Sequence, residues 1–74
     1  MKSPQHAFGR AVRRLRERQS YSQERFAQLA KVDRTYMSEI ERGVTNVSLV
    51  MGERLARALG IRLSELLTEA EREK

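Results

Sequence analysis

Apolar side chains recur at helical spacing along almost the whole of this 74-residue chain. Phe8, Ala11, Val12 and Leu15 fall three and four apart, which predicts a first helix over about residues 7–18 with Arg10, Arg13, Arg14 and Arg18 off its apolar face. Ser22 suits a helix N-cap, with Gln23 and Glu24 in the first turn, so a second helix runs to about residue 30 and turns Phe26, Ala27 and Leu29 inward. Asp33 is another strong cap. It opens a helix over about residues 34–42 with Met37, Ile40 and Glu41 inward, stopped by Gly43. Ser48 caps a fourth helix that ends before Gly60, and a fifth begins near Leu63 and carries Leu66 and Leu67 toward a charged tail. No stretch alternates β-branched residues as a strand would, so the fold is all-α.

A chain this short has room for one domain and buries only a modest share of its unfolded surface, so burial against a partner subunit would add materially to its stability. The expected core is Val12, Leu15, Phe26, Ala27, Val32, Met37, Ile40, Leu55, Leu59 and Ile61, with Phe8 covering one end. Residues 1–6 read as a flexible N-terminus, 7–70 as the folded domain and 71–74 as a charged tail. With no Cys and a single His, His6, disulfides and Cys/His zinc sites are excluded, and no metal or cofactor is expected. The N-terminus lacks the apolar segment of a secretory signal or membrane span, so the expectation is a soluble cytoplasmic protein.

Charge adds a partner. The net charge is +5 and the pI about 10.4, a balance that suits a polyanion, nucleic acid first. It is uneven: residues 1–34 hold nine basic and three acidic side chains, and residues 35–74 hold six and seven. A solvated basic surface with no nucleic-acid role is the plainer alternative. The Arg-rich first helix would also suit an anionic membrane, but its narrow apolar face without Trp argues against insertion.

The connection between the second and third helices is only about three residues, which makes them cross steeply in helix-turn-helix geometry and places the second of the pair to read DNA. At its N-terminus Arg34 can donate two hydrogen bonds to guanine O6 and N7, and Thr35 or Tyr36 can touch a thymine methyl. Glu39, one turn on, can accept from cytosine N4 or order a neighbouring Arg. Gln23, at the start of the second helix, and Asn46, before the fourth, are placed to hold phosphates and fix the docking register.

Taken in order, Ser22-Gln23-Glu24-x-Phe26-Ala27, Asp33-Arg34-Thr35-Tyr36-x-Ser38-x-Ile40-Glu41-Arg42-Gly43, Asn46-x-Ser48-Leu49 and Leu55-Ala56-x-Ala58-Leu59-Gly60 resemble the phage-repressor and Cro-like helix-turn-helix family, over about residues 8–67. The string from Asp33 to Arg42 is similar to that of small controller proteins of restriction-modification systems. The resemblance implies a compact five-helix, lambda-repressor-like domain that dimerises through its C-terminal helices and binds inverted-repeat operators. It implies base contacts from Arg34, Thr35, Tyr36 and Glu39, phosphate contacts from Gln23, Ser38 and Asn46, and a partly buried Arg16–Glu41 salt bridge. Ser20 and Lys31 depart from it, standing where Gly or Asn often supports a left-handed backbone. Val47 replaces a common Pro, and Thr45 a residue that is often basic in controllers.

Leu63, Leu66 and Leu67 are the expected dimer contacts. Two recognition helices about 34–36 Å apart across a dyad would require a near-palindromic site. The expected mechanism is promoter occupancy, blocking RNA polymerase or recruiting it, without a small-molecule ligand. The rivals are an antitoxin that uses the same fold beside a toxin, and a protein-binding adapter. An enzyme fits worst, since no nucleophile–base pair, metal cluster or phosphate-binding Gly loop is present.

Overall fold

The computed structural model describes residues 3–73. Within it five helices follow one another with no strand: α1 (Pro4–Arg18), α2 (Gln23–Ala30), α3 (Arg34–Arg42), α4 (Leu49–Leu59) and α5 (Leu63–Glu71). Ser22, Asp33 and Ser48 cap α2, α3 and α4, each side-chain oxygen accepting from a first-turn backbone N–H, which satisfies donors the helix leaves open. Arg62 has no side-chain acceptor to offer α5; instead the Glu65 carboxylate reaches back to accept from the Arg62 N–H at 2.8 Å.

The start of α1 corrects the expected boundary. The helix begins at Pro4, not near Ala7, because Ser3 accepts from the His6 N–H and Pro occupies the first turn, where its missing N–H costs nothing. Gln5 and His6 are therefore helical. At the other end, Glu73, in the expected charged tail, pairs with Arg10 at 3.3 Å and with Arg14 at 3.0 Å, and its side chain is only 11% exposed. Residues 1, 2 and 74 lie outside the described part of the chain.

Helices α1 to α4 all end alike. A residue just past each helix turns left-handed (Ser20, one beyond Gln19, after α1; Lys31, Gly43 and Gly60 directly after α2, α3 and α4), and the N–H that follows it bonds back five residues, as in Tyr21 to Arg16, Val32 to Ala27, Val44 to Glu39 and Ile61 to Ala56, the pairing that closes a helix C-terminus sharply. Gly43 and Gly60 adopt this conformation easily, whereas Ser20 (φ 63°) and Lys31 (φ 58°) adopt it against the steric cost of a Cβ.

The core gathers Phe8, Ala11, Val12, Leu15, Phe26, Ala27, Ala30, Met37, Ile40, Leu55, Ala56, Leu59, Leu66 and Ala70, with Val32 and Ile61 partly buried against it. Leu29, expected inside, is exposed, because Phe26, Ala27 and Ala30 take the inward side of this short helix. Helix α1 runs antiparallel to α5, since Arg10 pairs with Glu73 and Arg14 with Glu69. It also lies close over α3: a Cβ built on Gly9 would stand 2.2 Å from the Ile40 carbonyl oxygen.

Two substitutions test these backbone constraints. Gly9→Ala forces α1 away from a backbone it cannot displace and lowers stability by about 2 kcal/mol in urea unfolding. Lys31→Gly relieves the left-handed turn, partly offset by a freer unfolded chain, and raises stability by about 0.5–1 kcal/mol.

Candidate nucleic-acid interface

Lys31, Val32 and Asp33 join α2 to α3, the sharp ending of α2 being followed at once by the Asp33 cap of the next helix. With Met37, Ile40 and Glu41 buried, the remaining positions of α3 face outward: Arg34 and Thr35 are exposed, and Ser38 and Glu39 half-buried. Tyr36, also half-buried, packs against the core. Asp33 accepts from the Thr35 N–H at 3.0 Å, fixing the turn from which these side chains project. Among the described residues neither Arg34 nor Glu39 has an ion-pair partner.

Beneath this face lies the buried charged pair of the described residues. Arg16 Nε donates to Glu41 Oε2 at 2.7 Å and Nη2 to Oε1 at 3.0 Å, a two-pronged pairing whose side chains are 8% and 4% exposed. The third arm, Nη1, donates to the Tyr21 carbonyl at 2.8 Å. The hydrogen bond to Glu41 holds the Arg16 guanidinium above its ordinary pKa despite burial. The stability this lends is present below the unfolded-state value and lost only as pH rises through the folded one, so the Arg16 half stays charged throughout the neutral range.

Gln23, expected to hold a phosphate, has its Nε2 donating to Glu41 Oε1 at 3.1 Å. An amide nitrogen carries two hydrogens, so one remains uncommitted to Glu41, and its direction is set by the buried pair. Asn46 is exposed, and its Oδ1 accepts from Gln5 Nε2.

The expected dimer contacts divide. Leu66 is fully buried in the core of its own chain and offers nothing to a partner, because the inward face of α5 is carried by Leu66 and Ala70. Leu63 and Leu67 instead line a groove of about 440 Å³ together with Pro4, Phe8, Val47, Leu49 and others. Leu49 and Val50, 76% and 71% exposed, escaped the sequence reading because the start of a helix gives no periodic sign of which side is covered.

The Arg-rich helix is largely neutralised within the chain: Arg10, Arg13, Arg14 and Arg16 all pair with carboxylates. Among the described residues no His/Cys/Asp/Glu group could hold a metal ion, and no helix is long and apolar enough to cross a membrane.

The helix-turn-helix family matches residues 12–66. The chain belongs to this helix-turn-helix family. Control protein C.MunI from a Mycoplasma species is 49% identical over 67 residues, covering 89% of this chain and 90% of that protein. Control protein C.BamHI from Bacillus amyloliquefaciens is 44% identical over 61 residues, covering 81% and 75%. Among solved structures, the restriction-modification controller protein C.AhdI from Aeromonas hydrophila superposes with a TM-score of 0.81 at 45% identity, over 84% of this chain and 94% of that one. In this helix-turn-helix chain α2 and α3 are the helices joined by the short turn, and Arg16–Glu41 ties α3 to α1.

The pair carries its own test. Glu41→Ala leaves Arg16 buried without a counter-charge and costs about 3–5 kcal/mol of unfolding free energy, whereas joint replacement by Arg16→Met and Glu41→Leu recovers most of that loss.

Proposed function

We propose that this chain is a sequence-specific, double-stranded DNA-binding transcriptional regulator that acts as a homodimer on an inverted-repeat operator, in the role of a restriction-modification controller. The observation that carries the reading is the outward face of α3, where Arg34 and Thr35 stand exposed, with no ion-pair partner for Arg34 among the described residues, on a helix anchored by a buried ion pair. Its likeness to control proteins along most of their length supports the specific role.

Arg34 offers the paired donors that guanine O6 and N7 accept, Thr35 a methyl for thymine, and Glu39 an acceptor that penalises bases unable to donate to it. Tyr36 borders the same face with its ring partly in the core. Gln23, Ser38 and Asn46 take the backbone on either side, setting register without reading sequence. Regulation, not catalysis, is the activity, and the cytoplasm the site of action.

The second copy docks through Leu49, Val50, Leu63 and Leu67, apolar surface that a small monomer would otherwise leave in water. Pairing two domains supplies the affinity that a few base contacts lack and imposes dyad symmetry on the operator.

Selection from a random duplex pool, with affinity for the winning site measured against salt, tests this function. A dyad-symmetric motif with a steep salt slope is expected; absence of an enriched motif would reject it in favour of a protein-binding role. On the selected site Arg34→Ala relaxes base preference at one position of each half-site and costs about 1–3 kcal/mol of binding free energy per half-site. Leu67→Glu shifts sedimentation toward the monomer and weakens operator binding.

A further inference from the structure

The first turn of α1 is built against the loop that connects α3 to α4. Ser3 and Pro4 start the helix early, and Gly43 lets it approach: a Cβ on Gly43 would lie 2.5 Å from the His6 Cα. That contact brings Gln5 to Asn46, 41 residues away in sequence, and Gln5 Nε2 donates to Asn46 Oδ1. Ser3, Gln5, Gly43, Val44, Thr45 and Asn46 line one shared cleft of about 250 Å³.

We infer that Gln5 is a positioning residue for DNA binding, acting through Asn46 to hold its amide with the amino group toward a backbone phosphate; this rests on the DNA-binding reading above. A phosphate oxygen only accepts hydrogen bonds, so an Asn side chain is useful to it by its NH₂ and repelled by its carbonyl. The amide of an exposed Asn can turn over and offer either end. With Oδ1 occupied by Gln5, the amino group is the end left to face outward, and the loop meets DNA already arranged. Gln23 is held by the opposite end of its amide, its Nε2 donating to Glu41 Oε1 and keeping one N–H in hand, so each of the two amides has a partner among the described residues but only that of Asn46 keeps its whole amino group free.

The experiment is a double-mutant cycle on the duplex enriched from the random pool by the wild-type protein. Gln5→Met keeps the side-chain length and apolar stem but removes the donor. It weakens binding roughly 3- to 10-fold, the scale of one net hydrogen bond, while the slope of affinity against salt stays unchanged because no cation is lost. Asn46→Ala weakens binding at least as much, and adding Gln5→Met to Asn46→Ala has no further effect. A merely structural Gln5 would instead weaken the Asn46→Ala protein by the same factor as the wild type, and that result overturns the inference, as does wild-type affinity in Gln5→Met beside a weakened Asn46→Ala. If Asn46→Ala itself binds like wild type, the phosphate role of Asn46 falls and the role of Gln5 with it. If the wild-type protein enriches no duplex at all, the DNA-binding reading is what has failed.

Discussion

The Arg16–Glu41 pair is the point at which α1, α2 and α3 are joined by the same few atoms. Arg16 reaches from α1 to the inward side of α3 and, with its remaining arm, to the Tyr21 carbonyl in the turn before α2. Glu41 also takes a hydrogen bond from Gln23 at the first position of α2. A buried pair of this kind is costly to desolvate and adds little net stability against a well-packed apolar substitute. What it supplies is direction, because a guanidinium fork and a carboxylate fit in few relative orientations. Here that fixes the angle of α3 and the aim of the Gln23 amide together.

The charge of the molecule has a different meaning in three dimensions than along the chain. The Arg residues of α1 read as a basic face seeking a polyanion, yet most are paired, Arg14 with Glu69 of α5 and both Arg10 and Arg14 with Glu73 just beyond that helix, as far as 63 residues away in sequence. They fasten α1 to α5. The cations left without a carboxylate among the described residues include Arg34 on α3, so less positive charge stands free than the composition suggests.

Helices α2, α3 and α4 were legible to the residue because Ser22, Asp33 and Ser48 cap them and left-handed turns close them, all local signals. The start of α1 was also legible in Ser3-Pro4, a cap followed by a first-turn proline, but the apolar periodicity begins only at Phe8 and drew the boundary inward. Leu66 could not be separated from Leu63 and Leu67 by sequence, since all three are leucines near one another and only the packing against α1 decides which is covered. Gly9 and the Gln5–Asn46 contact depend on how closely α1 approaches α3 and the following loop, a distance that no local pattern encodes. The outward residues of α3 were legible because a helix buries one face, so knowing Met37, Ile40 and Glu41 is enough to locate the other.

The central claim, that the outward face of α3 reads DNA while the amides beside it grip the backbone, is tested most directly by following backbone amide NMR shifts as the selected duplex is added. The account predicts the largest changes at Arg34 to Glu39, with a second set at Gln23 and around Asn46, and little change along the paired surface of α1 and α5. Changes concentrated instead in the groove lined by Tyr21, Leu29, Arg54 and Arg57, with α3 undisturbed, would contradict it.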